Sequence, residues 1–320
     1  MSLECPLCHS DKSVQLDEVD AADLAAGYAD GYVRTDVHAL LPAGAIALRQ
    51  CTVCDLKWFA PLAPGDEKFY ESLQQHDWYY QHDKAEFGHA AEIVQRFGER
   101  LNVLEVGCGR GAFAANLNPG HRYRGLEFND KAIALASQAG LDVAKVTVQD
   151  EALRAPGAYD IVCHFQVLEH VADVDGFMSA CVAALRPGGL LLVTVPADDS
   201  FVGIAAANWL NLPPHHLTRW TDAALRQLCP RYGLDVHELW HDAVADYHAQ
   251  WYARTMQQHA VRTMLGLQLK LTEPKWMTRL SNLAARLPAV RNALAALGVR
   301  RFPFAGRGHS VTVAGIKRLA

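Results

Sequence analysis

The segment Val103-Leu104-Glu105-Val106-Gly107-Cys108-Gly109-Arg110-Gly111 constrains the fold of this chain more than any other feature: an apolar run ends in glycines at every second position. Glycine has no Cβ, so it accepts positive φ and lets backbone approach a ligand closely. The pattern reads as a strand, a tight turn and a following helix over Gly111–Leu117, whose free N–H groups would face the ligand. A dinucleotide site prefers Gly-x-Gly-x-x-Gly, with the third glycine one residue later. Glu105, at the end of the strand, adds a second departure. A carboxylate this close to the turn repels pyrophosphate and suits a ligand carrying an amine or sulfonium cation.

Further apolar runs recur along the chain with helical patterns between them. Strands are expected at Asn102–Glu105, Tyr123–Phe128, Val143–Val148, Tyr159–Phe165, Leu190–Val195, Leu234–Trp240 and Ser310–Lys317. Helices are expected at Lys84–Arg100, Lys131–Ala139, Val174–Leu185 and Asp222–Tyr232. This alternation predicts an α/β fold: a Rossmann-like, seven-stranded, mostly parallel sheet with helices on both faces. The last strand is expected beside 234–240, with a helical insertion, 242–307, between them. The chain then divides into a small N-terminal module (1–60), a linker with an aromatic and helical segment (61–100) and the sheet domain (101–320). Trp78, Tyr79 and Tyr80 in the linker either glue the module to the core or close over a ligand.

Three more signals follow the glycine turn. Glu127 ends the second strand, where a carboxylate can accept two ribose hydroxyls. Gln166-Val167-Leu168-Glu169-His170-Val171 follows the fourth strand. Leu185-Arg186-Pro187-Gly188-Gly189-Leu190 turns tightly into the fifth. In this order the four motifs resemble class I S-adenosylmethionine-dependent methyltransferases, over about residues 85–241 and the last strand. The resemblance implies an enzyme with S-adenosylmethionine as cofactor. It implies that Gly107, Gly109 and Gly111 bound the methionine portion around Cys108, and that Glu105 lies near its amino group. Glu127, with Phe128 beside it, would hold the ribose. Gln149 and Asp150 would contact adenine, and His164, Phe165 and Gln166 would line the other side. Plainer roles stand beside these: a helix N-terminal acid for Glu127, a solvated cap for Asp150 and a small filler for Cys108.

Cys5-Pro6-Leu7-Cys8 and Cys51-Thr52-Val53-Cys54 are two CxxC knuckles separated by 42 residues. Four thiolates from two such hairpins make the tetrahedral site that zinc favours, and a closed four-cysteine shell is structural. The alternative is two loose thiol pairs. Paired knuckles ahead of such a core resemble a bacterial group that includes sugar C-methyltransferases, and also ribosomal RNA guanine methyltransferases. Residues 1–60 hold only Lys12, Arg34, Arg49 and Lys57 as fixed cations, which argues against nucleic acid.

Methyl transfer is mainly a positioning problem, and a base is needed only where the acceptor must lose a proton. The candidates are His170, after the fourth strand, and His215 and His216, in the stiff loop Pro213-Pro214-His215-His216. The insertion is basic, with ten Lys and Arg over 243–307 against Asp246 and Glu273. Leu280, Leu283, Leu287, Val290, Leu294 and Leu297 recur there at helical spacing, with a kink expected at Pro288. Such a helix can pack as a lid, cover a phosphorylated acceptor, or lie on an anionic membrane through 276–301. The whole chain, by contrast, carries a formal net charge of −5, which advertises no polyanion. No signal peptide or long apolar span is visible, so a cytoplasmic location is expected. The leading reading is methyl transfer to a small molecule, such as a sugar or nucleotide-sugar; an RNA methyltransferase and a non-catalytic cofactor-binding protein are the alternatives.

Overall fold

A computed structural model describes residues 3–29, 33, 36–76, 84–206, 208–272, 276, 279, 283 and 286–319. Trp78, Tyr79 and Tyr80 lie outside these residues, as does much of 273–285 in the expected basic helix. The N-terminal region comprises β1 (Ser13–Asp20), α1 (Ala21–Ala29), β2 (Ala45–Cys51) and β3 (Lys57–Ala60). Helices α2 (Glu67–Leu73) and α3 (Ala85–Phe97) lead into the main sheet. That sheet begins with β4 (Asn102–Val106), β5 (Arg122–Leu126), α4 (Asp130–Gln138), β6 (Val143–Ala144), α5 (Val148–Arg154) and β7 (Tyr159–Phe165). It continues through α6 (Val174–Ala184), β8 (Leu185–Pro196), a short β9 (Thr218–Arg219), α7 (Asp222–Arg231) and β10 (Leu234–Ala243). Helices α8 (Ala249–Leu265) and α9 (Pro288–Arg301) form the insertion ahead of β11 (Arg307–Lys317).

Seven strands pair in the order β10-β11-β8-β7-β4-β5-β6. Five of them, β4 to β8, run parallel, and β11 is antiparallel to both of its neighbours. Leu234 pairs with Lys317, so the last strand takes the expected place beside the strand that starts at Leu234. Central strands covered on both faces read as continuous apolar runs. Val103, Ile161, Leu190 and Leu192 face Phe87, Ile93 and Val94 of α3. Leu104, Val162, Leu191 and Val193 face Met178 and Cys181 of α6 and Leu225 and Leu228 of α7. Each such side chain contributes about 1.5–3 kcal/mol when fully buried, so the two-sided burial fixes the register.

Three local expectations are corrected. The third strand stops at Ala144, because Thr147 caps α5 by accepting from the Asp150 N–H. No α-helix follows the glycine turn; only a single 3₁₀ turn, Ala114–Asn116, forms. Pro119 excludes Asn118 from the helical region, and too few residues remain to repay helix nucleation. Pro288 does not kink a helix but begins α9, where its missing N–H is harmless.

The N-terminal sheet, β1-β2-β3-β9, is antiparallel and includes β9 from the core. Leu7, Leu56 and Trp58 belong to the same apolar cluster as the main-sheet residues. In the insertion, α9 presses on α8 at Gly298, where a Cβ would lie 2.0 Å from the Met256 carbonyl oxygen. Leu287, Val290 and Val299 of this region remain exposed. Among the described residues no helix is long and apolar enough to cross a membrane.

Candidate active site

The strand order reverses direction between β4 and β7, and the loops beyond the carboxyl ends of those strands part there. Open α/β sheets bind ligands at this point. A cavity of about 1440 Å³ occupies it, walled by the loops after β4, β5, β7 and β8 and by α8 of the insertion.

The glycine turn forms one wall. Gly107, Gly109 and Gly111 have φ of +72°, +54° and +79°, which side chains rarely tolerate. The Gly107 and Cys108 N–H groups donate to the Leu126 carbonyl at 2.8 and 3.0 Å, which ties the turn to β5. Gly107 and Gly109 line the cavity, whereas Gly111 does not: a Cβ there would meet Leu141 Cδ1 at 2.1 Å, so it serves packing. Cys108 also lines the cavity, with its thiol pKa raised by burial.

Two carboxylates flank the turn. Glu105 is 2% exposed and accepts from the Tyr123 hydroxyl at 2.5 Å. Burial raises its pKa to about 8. Glu127 accepts from the Gly109 N–H at 2.8 Å through one oxygen, and from the Phe128 and Asn129 N–H groups at 2.7 and 2.9 Å through the other. It therefore clamps the turn while facing the cavity. A carboxylate offers about four lone-pair sites, so one remains for a ligand hydroxyl.

Phe128, Gln149, Phe165 and Gln166 line the cavity. Gln166 holds φ +56° and donates through Nε2 to Ser310 Oγ at 3.1 Å. Asp150 and His164 do not line it. Asp150 accepts from the Thr147 hydroxyl at 2.7 Å within the cap of α5. His164 lies on the opposite face of β7, edge-on to Phe177, with both ring nitrogens buried and without hydrogen-bond partners. Strand alternation sends residues 164 and 165 to opposite faces, and only Phe165 faces the cavity.

His170, His215 and His216 meet in the cavity wall. The rings of His215 and His216 stack at 4.5 Å, and His170 stands edge-on to both at 4.5 and 4.8 Å. Each Nδ1 faces an oxygen: His170 the His215 carbonyl at 2.5 Å, His215 the Leu210 carbonyl at 2.8 Å, and His216 Asn211 Oδ1 at 2.9 Å. Burial lowers the His170 pKa to about 4, and lowers those of His215 and His216 well below the usual range. All three imidazoles are therefore neutral at pH 7, and none is a strong base. Glu169 sits beneath them, fully buried, and burial raises its pKa to about 8.

Several cavity residues carry no sequence motif: Tyr70 from α2, Tyr247, His248, Trp251 and Arg254 from the insertion, and His309 and Ser310 from β11. Only Glu169 had a readable signal, as an acid within an apolar turn after the fourth strand.

Outside the cavity, the Sγ atoms of Cys5, Cys8, Cys51 and Cys54 lie within 4.8 Å of one another. Cys5 and Cys54 are 3.5 Å apart and Cys8 and Cys51 3.4 Å. Thiolates on one tetrahedral zinc, at about 2.3 Å each, lie roughly 3.8 Å apart, which falls within the range these four sulfurs span, so the cluster fits the ion with small side-chain shifts.

A family model described as a methyltransferase domain matches residues 79–239. A ubiquinone biosynthesis O-methyltransferase of Rhizobium etli is 40% identical over 101 residues, which cover 30% of this chain and 41% of that protein. A probable S-adenosylmethionine-dependent methyltransferase of Mycolicibacterium smegmatis is 30% identical over 175 residues, 52% of this chain and 64% of that protein. The match thus spans less than two thirds of the length of either relative. The crystal structure of an S-adenosylmethionine-dependent methyltransferase from Archaeoglobus fulgidus shares the fold, with a TM-score of 0.50 at 14% identity over 78% of this chain and 100% of that one. With the family model covering half of its length, around the same glycine turn and strand-end acids, this chain belongs to the methyltransferase-domain family.

Proposed function

We propose that this protein transfers a methyl group from S-adenosylmethionine to an oxygen of a small-molecule acceptor bound in the same cavity. One observation carries the reading: the glycine turn and both strand-end carboxylates open into a single space that the insertion roofs. Its volume of about 1440 Å³ exceeds the ~300–1,000 Å³ of a typical ligand pocket. That suits two ligands held together.

When bound, the cofactor supplies a methyl carbon made electrophilic by a positive sulfur. Glu105 favours the amino group, whose charge returns the buried carboxyl to its ionised form. Glu127 accepts from the ribose through its remaining lone pair, and Phe128 and Gln149 flank the base. Strand order puts these groups on the β5–β6 side. The acceptor then takes the β8–β11 side, among Tyr247, His248, Trp251 and His309. The relatives named for ubiquinone biosynthesis are O-methyltransferases, which supports an oxygen acceptor; a sugar or nucleotide-sugar has the right size. The four cysteines hold a structural zinc that braces the N-terminal sheet.

The test is calorimetry with S-adenosylhomocysteine on the wild type and on Glu127→Ala. A hydrogen bond to a charged group is worth about 1.5–3 kcal/mol, so affinity should fall roughly 10- to 100-fold. No binding to the wild type at millimolar ligand would overturn the reading, and equal affinities would remove Glu127 from it.

A further inference from the structure

We propose that His170, His215 and His216, with Glu169, form a second metal site, which holds a divalent first-row transition ion inside the cavity. The inference rests on the cofactor reading only for its consequence, an ion beside the acceptor; the site itself stands on its own geometry.

One potential ligand nitrogen from each ring lies within 4.8 Å of the others. The Nε2 atoms of His170 and His216 lie 3.8 and 3.9 Å from the same carboxylate oxygen, Glu169 Oε1. Nitrogens sharing one tetrahedral ion at about 2.0–2.1 Å lie roughly 3.4 Å apart, so the three rings draw together by at most about 1.4 Å on binding, with Glu169 alongside rather than in the ligand set. Among the described residues neither oxygen of Glu169 has a hydrogen-bond partner, although the residue is fully buried. Buried carboxylates without hydrogen bonds are rare because desolvation is expensive, and a bound cation removes that penalty.

The surroundings prepare the rings for a metal. Each Nδ1 has as its nearest partner an oxygen that only accepts, which puts the hydrogen on Nδ1; the Tyr70 hydroxyl, 3.4 Å from His170 Nδ1, is the more distant contact there. The lone pair of each ring then sits on Nε2. A ligating histidine is normally oriented in this way, through the hydrogen bond of its other nitrogen. The loop is also fixed: the Gly65 N–H donates to the Pro214 carbonyl at 2.9 Å and the Leu217 N–H to the Glu169 carbonyl at 2.7 Å. Arg219, a fixed cation close to His216, is held on the Asn211 carbonyl at 3.0 Å and is countered by Asp198.

Imidazole-rich sets select zinc, cobalt, iron, nickel or copper over magnesium and calcium. Three imidazoles on a tetrahedral ion leave its fourth position to an exogenous oxygen, with Glu169 beside them as a buried counter-charge. The ion would bind and polarise the acceptor hydroxyl.

The experiment titrates Co²⁺ into the whole chain loaded with a single equivalent of zinc, which the four thiolates take first, with free zinc removed. The expected result is one equivalent of Co²⁺ per chain, with d–d absorption and no thiolate charge-transfer band. In His170→Ala and His216→Ala the affinity should fall by more than the ~10–100-fold that loss of an outer-shell partner causes. S-adenosylhomocysteine affinity, measured on the same samples, reports folding and tests the cofactor reading separately. No uptake by the wild type overturns the proposal whatever the variants do. Uptake with a thiolate band assigns the ion to the cysteines and overturns it too, as does unchanged uptake in both variants.

Discussion

Replacing Glu105 with glutamine should stabilise the ligand-free protein while weakening cofactor binding. The carboxyl is fully buried, and its pKa rises from an ordinary 4.5 to about 8. Below 4.5 it is protonated whether the chain is folded or unfolded. Between 4.5 and 8 the unfolded chain releases a proton that the folded chain keeps, so stability falls as pH rises and levels off above 8. At about 1.4 kcal/mol per pH unit, the loss reaches roughly 3 kcal/mol by pH 7. Glutamine does not ionise, fills the same space and still accepts from the Tyr123 hydroxyl. Glu105→Gln should therefore exceed the wild type by about 3 kcal/mol at pH 7 and by less than about 1 kcal/mol at pH 5. Urea denaturation at both pH values, followed by tryptophan fluorescence, measures the difference, and other titrations cancel in it. Calorimetry on the same variant should show at least about tenfold weaker S-adenosylmethionine binding, since an amide cannot neutralise an ammonium. Parallel stability–pH curves for the two proteins would refute the burial argument, and equal affinities would refute the assigned partner.

Cys51→Ser should lower bound zinc by about one atom per chain, measured by elemental analysis, and should loosen β1–β3 to proteolysis before the main sheet. Gly107→Ala places a Cβ 2.6 Å from Val167 Cγ2 at φ +72°, so it should cost about 1–3 kcal/mol of stability and weaken S-adenosylhomocysteine binding by calorimetry. Gly298→Ala should push α9 off α8 and raise the KM for the acceptor more than the cofactor Kd. A His215→Asn and His216→Asn double variant should lose turnover while retaining cofactor affinity; full activity would make the loop purely structural.

The fold was legible because its signals are local. A buried strand such as Tyr159–Phe165 announces itself by an apolar run, and its ends match the expectation at both residues. Asp222–Arg231 begins one residue after its capping threonine, Thr221. Failures arose where one local preference defeated another. Thr147 is β-branched and suits a strand, but its hydroxyl satisfies the Asp150 N–H, so the cap prevails and the strand ends at Ala144. The segment after Gly111 has helix-favouring alanines, yet Pro119 leaves it too short to propagate. Neither outcome moves the glycine turn, because the Leu126 carbonyl anchors its N–H groups.

The site divides along the same line. Glu105, Gly107, Gly109 and Glu127 could be named because each sits at the carboxyl end of a strand that its own neighbours define. His170 lies 45 residues from His215, and nothing between them specifies that the rings will meet. Their meeting depends on tertiary contacts: the Leu217 N–H on the Glu169 carbonyl, and the Tyr28 hydroxyl on the Trp209 and Leu212 carbonyls at 2.7 and 2.8 Å. Tyr28 comes from α1, so the N-terminal region positions the loop that carries two of the three imidazoles. This couples the two metal proposals. If zinc braces the N-terminal sheet, then Cys51→Ser should also weaken Co²⁺ binding at the histidines, although no cysteine touches them. A substitution confined to the histidine site, such as His170→Ala, should leave the cysteine-bound zinc in place. Measuring both metals in both variants tests this one-way coupling. Loss of cysteine-bound zinc on His170→Ala would instead show that the loop braces the sheet, reversing the direction argued from Tyr28.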